Sequence, residues 1–115
     1  MIMRWYNYKD IVEGALLSGC FMLLRTEVFE KVGKFDEKYF MYLEDYDFCR
    51  RIVEKYEVIY YPKVEIMHEH AKSSYKSRKM LLIHIKSVLT YFNKWGWIFD
   101  KKRSEANKKL KKLYK

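Results

Sequence analysis

Gly33-Lys34-Phe35-Asp36-Glu37-Lys38-Tyr39-Phe40-Met41-Tyr42-Leu43-Glu44-Asp45-Tyr46-Asp47-Phe48-Cys49-Arg50-Arg51 is the stretch around which the rest of the chain arranges itself. A glycine is followed by an irregular aromatic run and then by three acids, Glu44, Asp45 and Asp47. Acids at a helix start complement the positive end of the helix dipole. Acids where a loop meets a helix also suit a general base, which needs a fixed carboxylate open to substrate. Both readings stand on these residues alone. The aromatics from Phe35 to Tyr42 read equally as a site wall or as core. From about Glu44 to Lys55 the spacing predicts a helix burying Phe48, Ile52 and Cys49.

Working outward, Ala15 to Leu24 is almost continuously apolar and predicts a buried strand ending at Arg25. Gly19 inside it suggests a close approach of backbone or ligand, or a bulge. Thr26 is placed to cap a short helix over 27–32, with Glu27 and Glu30 near its positive end, and Gly33 to stop it. Glu57 to Tyr61 is rich in strand formers and ends at Pro62. Val64 to Met67 alternates and predicts one more short strand. A long helix follows over about 76–94, with Leu81, Ile85, Val88, Phe92 and Trp95 on one face. Gly96 interrupts it, and 100–114 reads as a basic helix with a thin stripe of Ala106, Leu110 and Leu113. The class is mixed α/β, with about three strands, few for an independent sheet.

His68-Glu69-His70, followed by Ser73-Ser74, lies at the end of a predicted strand, where α/β proteins place ligands. Histidines two apart on a strand share a face and suit a shared metal or phosphate. No zinc spacing, P-loop or dinucleotide fingerprint is present.

The chain has 115 residues and a net charge of +9, half its residues are hydrophobic and 18% are aromatic, which argues for one folded domain. Residues 101–115 hold eight basic residues and one acid, whereas residues 1–100 hold 16 and 14. The basicity therefore belongs to a tail on a near-neutral body, which argues against a nucleic-acid partner. The tail suits attraction to anionic lipid headgroups. Cys20 and Cys49 are too few for a disulfide scaffold and fit a reducing compartment. The start of the chain lacks the long apolar region of a signal peptide.

Gly19 to Arg25, Val28 to Glu37, Tyr39 to Arg51, Tyr60-Tyr61-Pro62, His68 with Ser73-Ser74, and Ser87 through Tyr91-Phe92-Asn93-Lys94 together resemble family 2 glycosyltransferases, in order. The nearest branch is the rhamnosyltransferase-like enzymes of cell-surface polysaccharide synthesis. The resemblance covers about residues 14–95. It implies part of a GT-A-like (nucleotide-diphospho-sugar transferase) fold, with few strands, flanking helices and a helical tail.

It further implies an inverting transfer of sugar from a nucleotide-diphospho-sugar donor to a saccharide or lipid-linked acceptor. By that resemblance Asp45 is the general base, Asp47 orients the helix or acceptor, and Glu44 contacts the acceptor or holds the loop. Gly19 and Cys20 line the sugar or acceptor pocket, and Phe40 and Tyr42 stack on the acceptor or pack in the core. His68, ahead of His70, corresponds to a histidine that helps hold a divalent cation, Mg²⁺ or Mn²⁺, on the diphosphate.

Members of the family are about twice this long or more, and their donor half carries an Asp-x-Asp that is absent before Gly19. Lys55 and Ala71 stand where relatives usually have glycine. The expectation is an acceptor-side half over 1–99 with a basic tail over 100–115, from a truncated or split enzyme whose donor half is missing or on another polypeptide. The alternative is a non-catalytic oligomerising or docking domain. Self-association is expected from exposed edges. The location expected is the cytoplasm, peripheral to the inner face of the membrane.

Overall fold

In a computed structural model of the chain, residues 9–13, 16–69 and 77–113 are described. Ala15, His70, Ala71, Ser73, Ser74 and Lys76 lie outside them, and the tail stripe of Ala106, Leu110 and Leu113 falls on side chains outside that description. The elements are β1 (Val12–Glu13), α1 (Glu27–Val32), α2 (Glu44–Ile52), β2 (Ile59–Tyr60), α3 (Arg78–Trp95) and α4 (Lys101–Leu113). The strands pair antiparallel, Val12 opposite Tyr60 and Glu13 opposite Ile59. No helix among the described residues is long and apolar enough to cross a membrane.

The core forms where α1 meets α2. Val28, Phe48 and Ile52 are buried together, and Met22, Leu24, Phe29, Val32, Tyr56 and Val58 pack on them. Phe48 lies between Phe29, at 5.8 Å, and Phe35, at 4.6 Å between ring centroids. The burial expected of Phe48, Cys49 and Ile52 is found.

Helix α1 stops as expected at Gly33, whose φ of +84° favours a residue without Cβ. Its start differs, because Thr26 has helical backbone angles and its side chain makes no capping hydrogen bond. Helix α2 ends at Ile52 rather than Lys55, and the Lys55 amine donates instead to Lys31 O of α1 at 2.9 Å.

The strands expected over 15–24 and 64–67 are not formed among the described residues. In the first segment Met22 and Leu24 turn to the core while Phe21 and Leu23 face outward. One-sided burial of an apolar run leaves no second face to cover, and no described strand pairs with it. The short β1, which the mixed residues before Gly14 did not signal, takes β2 as its partner instead.

Helix α3 forms nearly where expected but presents a different face. Leu81 and Ile85 are 49% and 45% exposed, whereas Ser87 and Tyr91 are buried. Polar and aromatic groups hold the docked side. Ser87 Oγ donates to Met41 O, Lys94 donates to Asp36 and Asp47, and the Trp95 indole donates to Asp47. His84, Ser87, Tyr91, Lys94 and Trp95 thus make the contact stripe, at helical spacing. Trp95 of the expected apolar stripe shares this contact, but Leu81 and Ile85 do not, because an apolar residue is not always a buried one.

This network sets a pH window. Hydrogen bonds from Lys94 and from the Lys38 backbone hold the Asp36 carboxyl below its ordinary 3.8. The Arg50 guanidinium does the same for Asp100. Burial pulls the Lys94 amine down, but its bonds to Asp36 and Asp47 outweigh that and leave it above 10.5. A lowered carboxyl contributes stability above its unfolded value and loses it as pH falls through its folded value; a raised amine loses its share as pH rises past 10.5. Urea midpoints followed across pH are therefore expected to hold level near neutrality and to fall below about pH 4 as these carboxylates protonate.

Candidate active site

Tyr42 and Leu43 both have left-handed backbones, with φ of 69° and 66°, immediately before α2. Such conformations cost non-glycine residues about 1–3 kcal/mol each and persist where the surroundings enforce them. Here the Ser87–Met41 hydrogen bond of 2.6 Å and the stacking of Tyr42 on His84, at 4.6 Å, hold the loop against α3. The turn delivers the acids at the first residues of α2, with Leu43 O accepting from Asp47 N–H at 2.9 Å.

The three acids then have different surroundings. Asp45 is half-buried. Its Oδ2 accepts from Gly19 N–H and its Oδ1 from Tyr46 N–H, both at 2.8 Å. An ionised carboxylate offers about four lone-pair sites, so two remain for a substrate hydroxyl. Asp47 has no exposed side-chain surface and accepts from Arg51, Trp95 and Lys94 at 3.0, 2.8 and 2.8 Å. It is sealed from solvent and ties α2 to α3. Glu44 is half-buried, and its Oε2 is buried without a hydrogen-bond partner.

The structure brings Gly19 to Asp45, residues 26 positions apart. A Cβ on Gly19 would stand 3.1 Å from Asp45 Cβ. Gly19→Ala should therefore push the carboxylate aside by a few tenths of an ångström. The expected result is about a tenfold loss of turnover with a thermal midpoint near that of wild type. Cys20 is exposed beside it, while the Cys49 thiol is buried and raised by that burial. Alkylation of the folded chain should give one adduct, at Cys20, by mass spectrometry.

Phe40 is 79% exposed and joins Ile83, Ser87, Lys38, Lys79 and Lys86 in lining an open groove of about 410 Å³. Tyr42 is half-buried against His84 and is not among the groove residues. The groove runs beside the loop that leads into Asp45. It combines an apolar wall with three amines, an arrangement suited to an amphiphile that carries phosphate.

His68 is exposed, and no three His, Cys, Asp or Glu side chains among the described residues gather as a cation site. Among the described residues, His68 does not stand in a set that fits a divalent cation. His70 lies outside the described residues.

A strained turn leads into an oriented carboxylate at a helix start, and an open groove lies beside the same loop, on a mixed helix–strand body. The family described as glycosyltransferase-like family 2 matches residues 3–82, and the chain belongs to that family. N-acetylglucosaminyl-diphospho-decaprenol L-rhamnosyltransferase of Mycobacterium tuberculosis is 42% identical over 59 residues, half of this chain and 19% of that protein. Rhamnosyltransferase WbbL of Escherichia coli K12 is 38% identical over 77 residues, 64% of this chain and 29% of that protein. The aligned segments thus span less than a third of these relatives' length. No solved structure matches the chain.

The supporting roles of Arg50, Arg51, His84 and Asp100 had no signal in the sequence, whereas Trp95 was expected on the packed face of its helix. The periodic signal for those on α3 was polar and aromatic rather than aliphatic.

Proposed function

We propose that this chain supplies the acceptor side and the base of an inverting glycosyltransferase of GT-A-like fold. The sugar comes from a nucleotide-diphospho-sugar and passes to a saccharide or lipid-linked acceptor, with rhamnose the donor sugar suggested by the relatives' names. The observation that carries the reading is the Asp45 carboxylate, oriented by two backbone N–H groups with lone pairs to spare. Asp45 takes the proton from an acceptor hydroxyl, whose oxygen bonds to the anomeric carbon as the bond to the nucleotide diphosphate breaks. Phe40 and the groove lysines hold the acceptor. The unsatisfied Glu44 Oε2 is costly as it stands and is the group an acceptor hydroxyl would satisfy after a small rearrangement.

The aligned segments cover less than a third of the relatives' length, and in this reading the donor site belongs to another part of the active enzyme. Calorimetric titration of the 115-residue chain tests the division. A short-chain lipid-linked saccharide is expected to bind and a nucleotide-sugar with Mg²⁺ or Mn²⁺ is not. Binding of the nucleotide-sugar alone would overturn the assignment. The second reading, an oligomerising domain, is favoured by the exposed Leu81, Leu82, Ile85 and Leu89 on α3. We expect the isolated chain to self-associate at tens of micromolar through such apolar surface. Sedimentation that shows only monomer would refute this.

A further inference from the structure

The turn between α3 and α4 places three large apolar side chains in solvent in succession. Trp97 is 53% exposed, Ile98 78% and Phe99 92%. Single exposed apolar residues are ordinary, but three adjacent ones at a turn are not. Their position is fixed from both ends. Gly96, with φ of +101°, closes α3 through a 2.8 Å bond from its N–H to Phe92 O. The Trp97 ring stacks on Phe92 at 5.2 Å, and its indole N–H donates to Asn93 at 2.9 Å. On the other side Asp100 is buried, bonded to both terminal nitrogens of Arg50 at 2.6 and 2.9 Å. The turn is thus braced with its apolar side chains outward.

Immediately after it comes the basic helix. Lys101, Lys102, Arg103, Lys108 and Lys112 are exposed on α4, with Lys102 also reaching Glu54. An indole, an isoleucine and a phenylalanine beside a run of cations match the two layers of a bilayer surface. Aromatic and aliphatic groups enter the headgroup–acyl boundary, and amines meet the lipid phosphates. Each basic residue near an anionic leaflet adds attraction, which salt screens. We propose that Trp97-Ile98-Phe99 and α4 together form a docking surface for an anionic lipid leaflet. A nucleic-acid partner would account for the cations and for stacking on the rings, but not for Ile98 held outward between them. The proposal stands independently of sugar transfer, because the surface shares no residue with the Asp45 site.

Vesicle co-sedimentation of the 115-residue chain tests it. Phosphatidylcholine vesicles are compared with phosphatidylcholine–phosphatidylglycerol vesicles, at low and at physiological salt. Binding is expected on the anionic vesicles, weaker with added salt and slight on phosphatidylcholine alone. The double variant Ile98→Ser/Phe99→Ser should lower the partition coefficient at least about tenfold, because two buried apolar side chains are lost. Both positions are exposed, so an unchanged thermal midpoint is expected and rules out unfolding as the cause. Brominated lipid should quench the wild-type tryptophan emission far more than that of Trp97→Phe. Equal partitioning of the double variant would overturn the apolar half of the surface. Equal binding to both vesicle types would overturn the electrostatic half. Tighter binding to duplex DNA or single-stranded RNA than to anionic vesicles would overturn the proposal as a whole. Loss of transfer in Asp45→Asn with vesicle binding retained would leave it intact.

Discussion

Asp45→Asn is expected to lower sugar transfer by about 10²–10⁴-fold, the range a positioned general base supplies. The rate is to be measured in extracts of the native source carrying wild-type or variant chain, with a labelled nucleotide-sugar and a lipid-linked acceptor. Asparagine keeps the shape of the side chain, and its oxygen still accepts from Gly19 N–H. Its NH₂ group turns toward Tyr46 N–H, exchanging an acceptor for a donor. The loss of that one bond costs about 1 kcal/mol, so the fold persists. The acceptor KM should barely change while kcat falls, because proton removal is needed only in the transition state. Normal turnover in the variant would remove Asp45 as base, and the acceptor groove would then stand or fall on titration alone. Glu44→Gln should cost less, since that residue is read as contacting the acceptor rather than taking its proton.

The sequence announced the helix of acids, its buried Phe48, Cys49 and Ile52, the stop at Gly33 and the break at Gly96. Each is a local matter of spacing or of glycine's freedom, and local signals survive without tertiary context. Gly19 was legible as a close approach, though not what it approaches, because a contact across 26 residues leaves no periodicity. The docked face of α3 was misread for a physical reason. Its partners are a carbonyl, a guanidinium and two aspartates, so the buried stripe is polar while leucines face outward. The apolar run over 15–24 suggested a buried strand because composition says that a segment is buried, not that another strand lies beside it. The different surroundings of Asp45 and Asp47 were beyond reach, since only Tyr46 lies between them and the open carboxylate differs from the sealed one only once α3 is in place.

Asp100→Ala is expected to destabilise the chain by about 3–5 kcal/mol, as removal of one partner from a buried ion pair does. Arg50 would remain nearly buried with its guanidinium over the Trp95 ring, 4.3 Å from the centroid, and one bond to the Tyr91 hydroxyl. Neither neighbour carries a charge to replace the carboxylate. Asp100 also accepts from Arg103 N–H at 2.9 Å, so the first turn of α4 loses its cap, at about 1 kcal/mol. Against a total stability of about 5–15 kcal/mol this is a large share, and urea denaturation reads it directly. The double variant Arg50→Met/Asp100→Leu should recover most of the loss, because apolar residues of similar volume replace a buried pair at little net cost. The pair is therefore not needed for stability as such. It fixes where α4 leaves the body relative to α2, the helix that carries Asp45. The double variant should then be stable yet bind anionic vesicles more weakly than wild type, because the braced turn loses its anchor. A double variant that binds vesicles as wild type does would show that the turn is held by Gly96 and the Phe92–Trp97 stack without help from Asp100.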